Sequence, residues 1–258
     1  NLQALVAGQI HISNINPDGI IIVNEKGANL KAIAGMINGV AYTLVGGKAY
    51  KKLEDIRGTR LGVSSLKGGP TTFLLEYLRA KGLVYPRDYS MVLVSGGTPA
   101  RLAALESGTV SAAVLGVPQS DMALDRGFNR LGDVLDVLPT FQFTTVNANP
   151  TWAEKNRASV VKFLKAHIRS LSWIHDHLDE AADLMTREMG IKPPYARRGV
   201  EYFTAKGLFP KDGAITMEGM KVNIEVQARD GLISPPLPPP EKHIDLSYLK
   251  QAQKELRN

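Results

Sequence analysis

Hydroxyls, glycines and a lysine gather at two places in this sequence, Ser64-Ser65-Leu66-Lys67-Gly68-Gly69-Pro70-Thr71-Thr72 and Gly96-Gly97-Thr98-Pro99. Such residues break no bonds by themselves. Glycine lets another molecule approach the backbone closely. Ser and Thr add neutral donors, and Lys67 adds a charge. Where each cluster opens a helix, unpaired N–H groups and the positive end of the helix dipole complete a cradle for an anion. The candidate ligand contacts are therefore Ser64, Ser65, Lys67, Gly68, Gly69, Thr71, Gly97 and Thr98. Asn14, Asn38 and Tyr42 join them as polar or stacking residues next to predicted strands. Arg101 has two readings: it meets an anion, or it braces its helix by pairing with a carboxylate.

Catalytic patterns are weak by comparison. Gly62-Val63-Ser64-Ser65-Leu66 places Leu66 where a nucleophile elbow needs glycine. Neither a G-x-x-x-x-G-K-[ST] loop nor a G-x-G-x-x-G turn occurs. His175 and His177 are two apart, so on a helix they face different ways. His11 and His243 are isolated, and His167 lies on an apolar stripe, as a core histidine would. No carboxylate pair stands out for acid–base work. The chain has no cysteine, which excludes disulfides, thiolate metal sites and a thiol nucleophile. The expectation is no catalytic residue, no metal and no cofactor.

The elements that must position the two clusters are legible from punctuation. Leu61–Ser65 reads as a strand, Thr71–Lys81 as a helix stopped by Gly82, and Ser90–Ser95 as a second strand. Thr98 is the expected N-cap, and Pro99 the first residue, of a helix ending at Gly108. Ser111–Gly116 is a third strand, with a helix from Pro118 to near Gly127. This alternation predicts a parallel α/β layer. A second copy of part of it stands earlier: Leu2, Ala4, Leu5 and Gly8 match Leu102, Ala104, Leu105 and Gly108. Each reads as a helix end, a left-handed glycine and a strand, which suggests two similar lobes. Val40–Val45 and Phe141–Val146 read as crossings between them. Lobe I is then 1–50 plus 145–258, and lobe II is 51–144. The rest is helical: a stripe of Val160, Phe163, Leu164, His167, Ile168, Leu171 and Ile174, then helices capped at Asp179, near Pro194 and at Thr216. The prolines of 235–240 form an extended strap before a terminal helix from Asp245 to Leu256.

The 258 residues carry 31 basic and 25 acidic side chains, a net charge of +6 spread along the chain. That suits a protein meeting anions or an anionic surface. It lacks the basic segment with interleaved aromatics of a nucleic-acid binder. No apolar run is long enough to span a bilayer, and no export signal is present in the sequence.

Four segments together resemble a known family: Leu2–Gly8, Leu53–Val63, Gly96–Leu105 and Ser111–Leu115. Gly207-Leu208-Phe209-Pro210 and Ile244–Leu249 extend the likeness. They are similar to ABC-transporter solute-binding proteins, in the branch with sulfonate, nitrate, taurine and thiamine-pyrimidine binders. The resemblance implies a type II periplasmic-binding fold: two α/β lobes, a ligand cleft, hinge closure and docking to a membrane permease. It implies an extracytoplasmic monomer that binds a small anionic solute and no nucleic acid. It also implies a strand, a helix and a second strand ahead of Leu2, which this sequence does not contain. Two other readings stay open: an enzyme on the same fold acting on a pyrimidine precursor, and the sensing module of a regulatory protein. The cysteine-rich motif of the related pyrimidine-synthesising enzymes is absent.

Overall fold

The computed structural model describes residues 1–66 and 69–257. Helix α1 (Leu2–Val6) and strand β1 (Ile12–Ile15) are followed by α2 (Pro17–Glu25), where Pro17 takes the first turn and its missing N–H costs nothing. Strands β2 (Lys31–Ile37), β3 (Tyr42–Gly46) and β4 (Arg60–Val63) come next. The alternation expected from the sequence then appears: α3 (Pro70–Ala80), β5 (Ser90–Leu93), α4 (Gly97–Glu106), β6 (Ala112–Gly116), α5 (Gln119–Asp125) and β7 (Asn129–Asp133). After β8 (Thr144–Ala148) come α6 (Pro150–Lys155), α7 (Arg157–Asp176), α8 (Leu178–Met189), α9 (Pro193–Ala205), α10 (Met217–Arg229) and α11 (Ser247–Arg257).

Two local expectations change. α4 begins at Gly97, ahead of the expected Thr98 cap. Gly96 takes a left-handed φ of +103° there, and the Thr98 hydroxyl accepts from Arg101 Nη2 instead of capping a backbone N–H. On α7, Phe163 is 40% exposed while Val161 is buried. Val160, Val161, Leu164, Ile168 and Leu171 centre the buried face, and Phe163 lies about 110° away from that centre at 3.6 residues per turn.

The chain divides into two compact units. Unit 1 holds Asn1–Gly39, Thr140–Ala181 and the chain from Val200 on; unit 2 holds Val40–Pro139 and Ala182–Gly199. The strands read as crossings belong each to one sheet. β3 pairs with β6 and β7 in unit 2, and β8 pairs with β1 and β2 in unit 1. The change of unit therefore falls before each strand, at 39/40 and 139/140 rather than 50/51 and 144/145, because a strand goes where its ladder partners are.

In unit 1 the sheet order is β1-β8-β2, with β8 antiparallel to both neighbours. α7 and α11 cover one face through Val160, Leu164, Ile168, Tyr248 and Leu249 packed on Ile33 and Val146. α2 and α10 meet at Ala32 through Ile21, Met220 and Ile224. The proline strap joins this sheet by a parallel bridge from Ile244 to Ala32, and the Asp245 N–H donates to Ala32 O at 2.9 Å.

In unit 2 the order is β5-β4-β6-β3-β7. β5, β4 and β6 are parallel, and β3 runs antiparallel between β6 and β7. α4 and α5 pack Leu102, Leu105 and Ala123 against Val45, Ala113 and Leu115. α3 lies against β7, where the Tyr77 hydroxyl donates to Leu131 O at 3.1 Å. The trio β6-β3-β7 has the same order and directions as β1-β8-β2, so each unit carries one strand inserted against the grain.

Candidate functional site

Winding in unit 2 reverses at β4: the chain crosses to β5 on one side and then passes back to β6 on the other. Ligands of open α/β sheets lie beyond the carboxyl ends of strands at such a reversal. Ser64–Ser65 leaves the end of β4, Val94–Gly96 the end of β5 and Val117–Pro118 the end of β6. Tyr42 reaches the same edge because β3 runs the other way and its first residue pairs with Gly116, the last of β6. A Cβ on Gly116 would meet Tyr42 Cε1 at 3.3 Å, so the absent side chain leaves room for the phenol ring. Phe73 of α3 flanks that ring at 6.0 Å.

The sheet opens at this edge. β4 pairs with β6 only at Leu61–Ala112 and Gly62–Ala113, while β6 continues to Gly116. The Val114 carbonyl, one residue past the last that β4 reaches, accepts from Arg101 Nε at 2.9 Å. Nη2 of the same guanidinium donates to Thr98 Oγ1 at 3.1 Å. Arg101 is 2% exposed, and among the described residues no carboxylate pairs with it. Burial lowers its pKa from the ordinary guanidinium value, with Tyr42 opposing that shift. Burial likewise raises the Tyr42 phenol, with Arg101 opposing. The phenol is thus neutral in ordinary buffers and supplies no counter-charge.

The first cluster is shaped by its own hydrogen bonds. Thr71 is buried and donates its hydroxyl to Ser65 O at 2.7 Å, tying the start of α3 to the turn after β4. Gly69 precedes α3 at φ +56°. Ser64 and Ser65 are half-buried. Thr72 Oγ1 is buried without a partner among the described residues. Lys67 and Gly68 lie outside the described residues. Gly97 is exposed and Thr98 half-buried at the start of α4.

Ser64, Ser65, Gly69, Thr71, Gly97, Thr98 and Tyr42 thus share one edge of unit 2, and Asn14 and Asn38 belong to unit 1. Asn14 is exposed in mid-strand on β1 opposite Val146. Asn38 follows β2 with its amide held on both ends: Nδ2 donates to Ala214 O at 3.0 Å, and Oδ1 accepts from Gln142 Nε2 at 2.8 Å. Arg101 is the residue that sequence reasoning left undecided. Its signal was present: no Asp or Glu stands three or four residues away on its helix, and a cation near a helix start opposes the helix dipole.

Three of the five histidines bond backbone carbonyls of the fold. His175 Nε2 and His177 Nδ1 bond the carbonyls of Phe209 (2.8 Å) and Trp173 (3.1 Å). His167 Nε2 meets Gly35 O at 2.8 Å, and burial lowers its pKa. Among the described residues no cluster of His, Cys, Asp or Glu could hold a metal ion, and no helix is long and apolar enough to cross a membrane.

The family model described as "NMT1/THI5 like" matches residues 1–181. A search of curated proteins by sequence finds no significant match. Solved structures similar to this chain include the periplasmic aliphatic sulphonate binding protein SsuA from Escherichia coli. It is 19% identical with a TM-score of 0.75, the match covering 95% of this chain and 78% of that one. The periplasmic nitrate-binding protein NrtA from Synechocystis PCC 6803 is 12% identical with a TM-score of 0.78, covering 99% and 77%. A cysteine-to-serine mutant of DszB in complex with biphenyl-2-sulfinic acid is 13% identical with a TM-score of 0.74, covering 98% and 88%. At these identities the likeness establishes the fold, that of the periplasmic binding proteins.

Proposed function

The chain belongs to the NMT1/THI5-like family, and from that premise we propose that it is an extracytoplasmic solute-binding protein, delivering a small anionic organic solute to an ABC-transporter permease. One observation carries this reading: glycine- and hydroxyl-lined turns at the starts of α3 and α4 share the carboxyl edge of a parallel sheet at its winding reversal. Backbone N–H groups there hold a sulfonate or carboxylate without a full set of counter-charges. Ser64, Ser65, Gly69, Thr71, Gly97 and Thr98 form this surface, Lys67 and Gly68 are further contacts expected from the sequence, and Tyr42 stacks on the organic part of the solute. The protein acts as a monomer, without nucleic acid. Delivery proceeds by hinge closure: a solute with higher affinity for the closed form shifts the population toward it.

A second reading, an enzyme on this fold, has the likeness to DszB in its favour. The chain has no cysteine, and among the described residues no acid–base pair stands out at the edge of unit 2, so binding without turnover is the better reading.

The test is a thermal-shift and calorimetric screen of alkanesulfonates, carboxylates, nitrate and pyrimidines. A specific solute raises the melting temperature by the mass-action relation RT ln(1 + [L]/Kd) and is recovered unchanged after incubation. Conversion of the bound solute into product defeats the receptor reading, as does the absence of any binder.

A further inference from the structure

We propose that Arg101 is the charge-recognition residue of this site, its guanidinium held in the split between β4 and β6 to receive one oxygen-bearing anionic group of the solute. The inference rests on the receptor reading above and narrows its ligand to an anion whose charge sits at one end.

The argument starts from a buried charge without a partner. Placing an ion inside a protein is unfavourable unless it is paired and hydrogen-bonded. Arg101 is 2% exposed, yet among the described residues it meets only neutral acceptors, Val114 O and Thr98 Oγ1. Those two bonds use Nε and one hydrogen of Nη2 out of the five N–H groups a guanidinium carries. Helix bracing by a carboxylate is thereby removed as its role. An apolar side chain could fill the space, and a neutral amide could cap Val114 O.

Position supplies the second part. The split is the winding reversal of the sheet, where β4 no longer pairs with β6 and β6 continues. The start of α4 adds its N–H groups there, and Tyr42 lies opposite Gly116 at the end of the same strand β6. A planar guanidinium offers two parallel N–H bonds to a carboxylate, nitrate or sulfonate, a geometry that lysine cannot copy. Bonding through Nε and Nη2 fixes that plane before the solute arrives.

The experiment compares wild type, Arg101→Met and Arg101→Lys, with ethanesulfonate, butyrate and nitrate as probes. Ethyl methyl sulfone serves as a neutral mimic and tetramethylammonium as a cation. The wild type is expected to be stabilised by at least one of the anions and by neither control. Arg101→Met weakens binding of that anion by about 30-fold or more, the effect of truncating one partner of a buried charge pair. Its ligand-free melting temperature is unchanged or higher, an outcome a purely structural brace would not give. Arg101→Lys falls between the two. Should Arg101→Met not fold, the 15N-labelled wild type decides: the Arg101 Nε–H resonance moves on anion titration and not with the sulfone. Wild-type affinity retained in Arg101→Met overturns the proposal, as does an unmoved resonance. A wild type that prefers the neutral or cationic probe overturns this inference and leaves the receptor standing. A wild type that binds nothing overturns both.

Discussion

Each unit sets buried polar groups against a strand of its matching trio, β8 in unit 1 and β6 in unit 2, but treats them differently. In unit 1, Asn147 is fully buried on β8 and donates to Thr145 O (2.8 Å) and Ile15 O (3.2 Å), while the Thr145 hydroxyl donates to Asn147 Oδ1 (2.9 Å). Gln142 donates to Asn38 Oδ1 and Thr144 O and accepts from the Thr216 N–H (2.9 Å) and hydroxyl (3.1 Å). Everything in that web is neutral and finds its partner inside the fold. In unit 2 the carbonyl of Val114, midway along β6, is capped by a cation with no acid beside it among the described residues. One hundred residues before Arg101 the matching sequence position is Asn1. A closed neutral network specifies a fold; an open charge at the same kind of edge is suited to something that arrives from outside.

The comparison breaks most readily at Gln142 and Arg101. Gln142→Leu leaves Asn38 Oδ1 and the Thr216 N–H and hydroxyl without their partner. At one to three kcal/mol per orphaned buried group, the expected loss is about 4 kcal/mol by chemical denaturation. Arg101→Met removes a charge instead of orphaning one, and Val114 O is the one acceptor it leaves behind. Its ligand-free stability is expected to match wild type or exceed it by about 1 kcal/mol. If both variants lose stability equally, the two edges are not different in kind.

A further contrast concerns pH. His243 is fully buried on the strap of unit 1, with its Nδ1 3.2 Å from Asn24 Nδ2 and its Nε2 3.6 Å from Glu25 Oε1. Desolvation lowers its pKa to about 4, with Glu25 opposing and Lys242 and Lys31 assisting. An unfolded histidine takes up its proton near pH 6.5, so the unfolded state binds more protons between there and pH 4. The stability His243 contributes is therefore complete above about pH 6.5 and is lost as pH falls toward 4, by about 3 kcal/mol in all. Melting curves of wild type and His243→Asn should converge in pH dependence above 6.5 and diverge below it. Parallel curves throughout would mean that the imidazole is not held neutral by burial.

How much of this was legible in the sequence follows from how far each signal reaches. Pro70, Gly82 and Gly127 act through their own backbone angles, so the helices of unit 2 could be placed from them. Val40–Val45 and Phe141–Val146 could be read as strands but not assigned to sheets, because the partners of β3 and β8 lie up to 136 residues away and nothing local encodes that pairing. Asn38 shows the same limit at the site. An asparagine after a strand reads as a free donor until Ala214 O and Gln142 are seen to hold it. Arg101 is the converse: the absence of an acid at helical spacing was visible, but its burial and the split at β4 that receives it were not.

The smallest expected effect tests the duplication itself. Ala7 and Gly8 N–H bond Gln3 O and Leu5 O at 2.9 and 3.2 Å, and Ser107 and Gly108 N–H bond Ala103 O and Leu105 O at the same 2.9 and 3.2 Å. The two glycines sit at φ +70° and +73°, and a Cβ on either would meet nothing within 4 Å. Gly8→Ala and Gly108→Ala therefore differ from wild type through left-handed strain alone, about 1 kcal/mol each. Equal losses in equilibrium denaturation, additive in the double variant, would mean that one helix-ending device is used twice. A clear inequality would locate the difference beyond the turn, in what each following strand packs against, and would limit the likeness of the two units to their strand order.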